Sequence, residues 1–276
     1  MHALLFMLLL ADTSDSVDKQ LRYLRTSELQ LHNMGEGIHH GYVYEHGKLR
    51  IRAIKTRHGY GWKTTHFAER FKPKTTDERI VAETARIESG RPYGHYDACT
   101  TYDTAGAYFG IIQWSAHVGN LQKLLLEVHD RDPETYLAHL PNYVPVRKNK
   151  RTVVLVDRAG AVHDLVNLRH LDFCRGLTAL ARYPHMKAVQ KKQALRWLKR
   201  AKRVAKDYGF TSIEGMATVY SLSVCLGFAG VMRILRQVDE RNDEDFKLLE
   251  VLQLIRLHHP GRLRRINSIK TSRIRR

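Results

Sequence analysis

The stretch ARIESGRPYGHYDACTTYDTAGAYFGIIQWSAHVGNLQKLL, residues 85–125, decides the fold. It opens on the end of a helical pattern. Ile80, Val81, Thr84, Ile87 and Glu88 share one broad face, and Thr75 with Glu78 three residues later has the spacing of a capping box. It closes in a second helix, with Leu121, Leu124, Leu125 and Val128 on one stripe and a stop before Asp132-Pro133. Between the two lies a loop with Tyr93, Tyr96 and Tyr102 interleaved with Asp97 and Asp103. Tyr108 and Gly110-Ile111-Ile112-Gln113 follow. Apolar surroundings favour the protonated form of a carboxyl, the form a general acid needs, so Glu88 is the candidate acid. Sugars present flat apolar faces and many hydroxyls, which suits tyrosines beside carboxylates. A second carboxylate in a wetter place could activate water, and either Asp97 or Asp103 can take that part. Carboxyls about 6.5–9.5 Å apart would predict inversion of configuration.

Outward from this stretch the chain reads as mainly α. Towards the N-terminus, GYVYEHGKLRIRAIKTRHGYGWKTTHF alternates apolar and polar residues around His46-Gly47 and His58-Gly59, predicting two or three short strands. With a helix over 13–31, residues 1–72 form a small mixed α/β module. The apolar run Ala3–Ala11 is short for a signal peptide, lacks a preceding Lys or Arg, and is too short to span a bilayer; it reads first as a docked apolar helix, with a weak export or membrane-associating segment as the alternative. Towards the C-terminus, VPVRKNKRTVVLVDR (143–157) predicts a basic hairpin, and helices are expected over 161–182, 186–207, 213–236 and 243–257. The result is a helical domain over 73–259 with a small β element, then a basic tail, 260–276.

With 46 Lys and Arg against 28 Asp and Glu, the net charge is +18, which favours polyanionic partners. Lys191, Lys192, Arg196, Lys199, Arg200, Arg203 and Lys206 make 186–207 a candidate polyanion-contacting helix, and the tail 262–276 a second. The three cysteines form no paired framework and are expected as reduced thiols. The sixteen histidines show no His-Glu-x-x-His spacing, so neither a metal nor a cofactor is expected.

The motif IES (87–89) followed by GIIQW (110–114) resembles the paired motifs of goose-type lysozymes and soluble lytic transglycosylases. In these a Glu-Ser ends the catalytic helix and a Gly-Leu-Met-Gln-like segment lines the cleft. Asp103, Gly106, Gly110-Ile111-Ile112, Trp114, Gly119 and Leu124 match, without a gap, the pattern of chitosanases of the lysozyme superfamily. Residues 208–230 resemble the buried helix behind the cleft of these enzymes, without the Asp often found there. Ser115 stands where goose-type lysozymes can carry a second acid.

The resemblance implies a lysozyme-like α+β fold, Glu88 as general acid and Asp103 as the water-orienting base, with Asp97 in reserve. Ser89, Gly110, Gln113 and Trp114 join Tyr93, Tyr102 and Tyr108 as expected substrate contacts. The implied activity is a glycosidase. A basic protein suits the anionic bacterial wall better than polycationic chitosan, so muramidase-type cleavage of peptidoglycan is expected first. Chitosan hydrolysis and lytic transglycosylation are the alternatives within the fold. By analogy such a domain belongs to a phage-lysin type of protein, acting at the cell wall or carried with other virion proteins rather than held in the cytoplasm. Two readings from other classes stand beside these: a nucleic-acid binder, which would account for the charge, the basic helix and the tail, and a basic structural virion protein whose lysozyme-like domain has lost activity.

Overall fold

A computed structural model describes residues 40–45, 48–56, 59–64, 67–89, 94–101, 106–165, 168, 170–239 and 243–259. The expected helix over 13–31, the apolar N-terminal run and the basic tail lie outside these residues.

The predicted alternating stretch is an antiparallel sheet of β1 (His40–Glu45), β2 (Lys48–Thr56) and β3 (Gly59–Thr64), with Val43 opposite Ile51 and Ala53 opposite Trp62. The sheet does not end at residue 72. Lys63 of β3 pairs with Thr100 of β4 (Cys99–Thr100), which continues antiparallel into β5 (Tyr108–Phe109) and β6 (Trp114–Ser115). Six strands thus follow one another in chain order, and the last three come from the stretch 85–125.

Helix α1 (Thr76–Ser89) starts on the expected cap. Thr75 Oγ1 accepts from Glu78 N at 3.2 Å, and Glu78 Oε2 accepts from Lys74 N at 2.6 Å. Burial of Glu78 opposes its ionisation, but the Lys191 ammonium and the backbone N–H groups of Lys74 and Thr75 outweigh it and hold the carboxyl below its usual range. Helix α2 (Asn120–His129) buries Leu121, Leu124, Leu125 and Val128 as the stripe predicts. Asp132-Pro133 then does more than stop a helix. Asp132 Oδ1 accepts from Thr135 N at 3.0 Å and Pro133 occupies the first turn, so α3 (Pro133–His139) begins there.

The basic stretch is the hairpin β7 (Val144–Arg147) and β8 (Val153–Val156). The helix expected over 161–182 is corrected to α4 (Leu171–Leu180). Asp157 Oδ1 accepts from Ala159 N and Ala161 N, turning the chain so that Val162 bridges back to Val156. Helices α5 (Pro184–Asp207), α6 (Ile213–Leu235) and α7 (Glu244–His258) follow close to expectation. Helix α6 is kinked at Gly227, whose φ of 69° and ψ of 166° are not helical. Its length and apolarity would suffice to cross a membrane, but more than half of its most apolar 18-residue stretch is buried inside the fold.

One core joins these elements. Leu124 and Leu125 of α2, Phe173 and Leu177 of α4, Val189, Ala194 and Leu198 of α5, and Tyr220 of α6 are all fully buried in it. Each such large side chain contributes about 1.5–3 kcal/mol on leaving water.

Candidate active site

Helix α1 ends at Ser89, and the sequence continues into Gly90 and Pro92, both helix breakers. Glu88 therefore projects from the last turn, where it is half-buried. Its Oε1 accepts a hydrogen bond from the Cys225 thiol at 2.8 Å. One turn earlier, the hydroxyls of Thr84 and Ser221 meet at 2.7 Å. Both pairs advance by four residues on each helix, so α1 and α6 run in the same direction along a seam with two polar rungs. The second rung lies two residues before the Gly227 kink. The buried helix expected behind the cleft is α6, and Cys225 is its contact with the candidate acid.

The Gly110–Gln113 turn is built differently. Gly110 has φ 80°, its N–H reaches Ala98 O at 2.7 Å, and a Cβ there would lie 2.4 Å from Gln190 Oε1, so only glycine fits. Gln190, fully buried on α5, accepts from Ile111 N at 3.1 Å and donates to Tyr96 O at 2.9 Å. One amide thus ties both sides of the loop to the helical core. Gln113, at φ 55°, turns its own Nε2 back onto Gly110 O (2.9 Å) and Ala98 O (3.3 Å). Ile111, Ile112 and Trp114 are buried, Trp114 to 3% exposure. Of the contacts expected from this segment, Gly110 and Trp114 shape the turn from inside, while Tyr108 and Gln113 are half-buried.

Asp97 is 2% exposed. Its Oδ2 accepts from Ala68 N at 2.7 Å, and burial pushes its carboxyl above the usual range against the pull of the neighbouring N–H groups. With Tyr96 N donating to Glu69 O at 2.7 Å, it fastens 67–71 to 94–98. Asp103, Tyr93, Tyr102 and the Ser89 side chain lie outside the described residues. In the chain, Asp103 belongs to the connection from β4 to β5, between buried Thr101 and buried Gly106. Thr101 is held by Trp62 twice, its N–H to Trp62 O at 2.7 Å and its Oγ1 accepting from Trp62 N at 2.8 Å.

The basic helix α5 divides between internal and outward duties. Lys191 and Lys202 pair with Glu78 and Asp77 in the first turn of α1, Lys187 with Glu69, and Lys192 with Glu127. Cys99 and Cys174 are buried thiols and Cys225 is half-buried. Among the described residues, no group of three His, Cys, Asp or Glu converges to hold a metal.

Sequence reasoning passed over Cys225 and Gln190. Gln190 left a trace, an amide on the buried side of an otherwise apolar stripe with Met186, Val189 and Ala194. Cys225 left none, since its partner is 137 residues away.

No family model and no curated protein matches the chain. Among solved structures it is similar to the GH46 chitosanase of Gynuella sunshinyii in complex with chitotetraose. The identity is 17%, the TM-score 0.52, and the match covers 74% of this chain and 87% of that one. It is also similar to chitosanase from Bacillus subtilis MY002, both native and as a mutant complexed with six GlcN units, at 13% identity and a TM-score of 0.51, covering 74% and 88%. The fold is the mainly α, lysozyme-like fold of these chitosanases.

Proposed function

We propose that this chain is a glycoside hydrolase that cleaves an amino-sugar polysaccharide, with Glu88 as general acid. The observation that carries the reading is a carboxylate in the last turn of α1, half-buried and in contact with the Cys225 thiol, in a chitosanase fold. A carboxyl so placed can give its proton to a glycosidic oxygen as the bond breaks. Asp103 takes the part of base and orients the attacking water. Its place in the chain supports this: it follows by two residues Thr101, which Trp62 fixes to the sheet. Asp97 is assigned to the scaffold, because a base that activates water needs contact with water and Asp97 has almost none.

Between substrates, charge favours the anionic glycan strands of peptidoglycan. A +18 protein attracts them at long range and repels polycationic chitosan. Chitosan is the second reading, favoured by the chitotetraose and GlcN complexes of the similar structures.

The test digests purified peptidoglycan and chitosan oligomers with wild type and Glu88→Gln, and identifies the products by mass. Reducing-end products from wild type and none from the variant are expected. Anhydro-sugar ends would make it a transglycosylase without need of Asp103. Digestion by Glu88→Gln at the wild-type rate would overturn the reading.

A further inference from the structure

A cavity of about 520 Å³ opens between α2, the β7–β8 hairpin, α5 and α6, and it shares no residue with the site around Glu88. On α5 its lining comes from Gln193, Arg196, Trp197 and Arg200, whereas Lys191 and Lys202 reach α1. At 100° per residue these two sets project from opposite flanks of the helix. The cavity therefore faces away from α1.

Five cations line it: Lys123, Arg147, Lys150, Arg196 and Arg200, against Glu127 and Asp130. Glu127 is already engaged by Lys192, which lies outside the lining, and by Gln193. Among the described residues, no ion pair engages Lys123, Arg147, Lys150 or Arg200. The hairpin that carries Lys150 is set by its own turn, Asn149 Oδ1 accepting from Arg151 N and Thr152 N at 2.9 Å. These four cations, from three separate elements, share one concavity with Asp130, and the excess positive charge favours an anion there.

The aromatic residues narrow the class. Phe228 stacks on Trp197 with ring centroids 5.4 Å apart, and the Arg200 guanidinium covers its ring at 4.0 Å. Trp197 is held in place by its Nε1–H to Ser223 Oγ at 2.9 Å. The rings thus orient Arg200 instead of offering a platform for nucleobases, on which single-stranded nucleic acid binding depends. What the cavity presents is N–H groups arriving from α2, the hairpin and α5. A tetrahedral phosphodiester accepts donors from several directions, whereas a carboxylate accepts them in one plane. The volume is that of an extended ligand and exceeds a single ion.

We propose that this cavity is a second binding site, taking a strand of phosphodiester-linked polyol. It does not depend on the glycosidase reading. On an enzyme acting at an anionic wall, it would hold the protein to the phosphate polymers attached there.

The test uses the full chain carrying Glu88→Gln, so that cleavage plays no part, and titrates it with poly(glycerol phosphate) by calorimetry. Lys150→Glu with Arg200→Glu is expected to weaken binding at least tenfold and to flatten its salt dependence. Lys199→Glu with Arg203→Glu, the same charge change on exposed positions of α5 outside the cavity, is expected to change binding less than threefold. If the first pair does not fold, Arg147→Gln with Lys150→Gln in the exposed hairpin carries the same expectation at about threefold. Equal losses from the Lys150/Arg200 and Lys199/Arg203 pairs, or none from the cavity pairs, would overturn the proposal. So would tighter cavity-dependent binding of a single-stranded oligonucleotide of equal charge.

Discussion

The end of α1 and the Gly110–Gln113 turn are the two halves of one sequence signature, yet they are built on opposite plans. Glu88 is half-buried, and its Oε1 takes one thiol from a helix 137 residues away. The turn is fastened through Gly110 N, Ile111 N, Gln113 N and the Gln113 amide, to Ala98, to itself and to Gln190. A side chain meant to exchange a proton with a ligand must stay within reach of one, as a half-buried position allows. A turn meant to hold a cleft wall is instead fixed through its backbone and its buried side chains. The chemistry of the signature is therefore concentrated in its first half, and the second half is scaffold.

The sharpest way to break this contrast is to change one side of it at a time. Glu88→Gln keeps shape and removes the transferable proton. Turnover should fall roughly 10²–10⁴-fold, about 2.7–5.4 kcal/mol of barrier, with melting temperature unchanged. Asp103→Asn should lose activity on a similar scale and Asp97→Asn should not, as steady-state rates on the same substrate would show. Comparable losses in both aspartate variants would return Asp97 to the site.

The turn should answer in the opposite currency. Gln190→Leu strands Ile111 N and Tyr96 O in the core, a cost of about 2–4 kcal/mol and roughly 5–15 °C in melting temperature. Gly110→Ala adds strain of about 1–3 kcal/mol at a φ of 80° where Gln190 leaves no room. In both variants turnover per folded molecule, measured well below the melting point, should change less than about tenfold. A loss as deep as that of Glu88→Gln would mean that the turn itself contacts the reacting atoms.

Two buried carboxyls extend the contrast to pH. Glu78 is held below its ordinary 4.5, so its contribution is present above that value and lost as pH falls through its lower folded one. Asp97 is raised above its ordinary 3.8, so stability declines as pH climbs from there through its folded value. Calorimetry between about pH 3 and 7 should show Lys191→Gln lowering the melting temperature at neutral pH and flattening the acid limb. Asp97→Asn should leave neutral stability unchanged or slightly raised, since an amide oxygen still accepts from Ala68 N. A large neutral-pH loss in that variant would mean its ionised form is what the fold requires.

The legibility of the chain follows from the range of the forces involved. Helices α1, α2, α5, α6 and α7 were readable because their stripes and caps lie within a few residues, as at Thr75 and Glu78. Strands β4–β6 are two residues each, too short to show an alternation, and exist through pairing with β3 and one another. Asp132-Pro133 read as a stop because a helix end and a helix start use the same residues. Of the candidate site, the position of Glu88 could be read from its helix. The burial of Asp97 and Trp114 could not, since it depends on segments brought in from residues 62–71 and from α5.

The smallest expected effect tests the seam on which Glu88 rests. Cys225 is the half-buried thiol of the three, while Cys99 and Cys174 are buried, so a small alkylating reagent should meet it first. Its thiol is 2.8 Å from Glu88 Oε1, and an added carbamidomethyl group there displaces the carboxyl from its position. Iodoacetamide should therefore inactivate wild type in step with modification of Cys225, identified by peptide mass. Cys225→Ser keeps a donor and removes the reactive sulfur; it should retain activity within about twofold and resist the reagent. Cys225→Ala removes one hydrogen bond of about 0.5–1.5 kcal/mol and should cost about two- to tenfold in turnover. If alanine and serine behave alike, the thiol only fills space beside Glu88. If serine restores what alanine loses, the donor at position 225 helps α6 orient the acid, and the seam between the two helices is part of the catalytic apparatus.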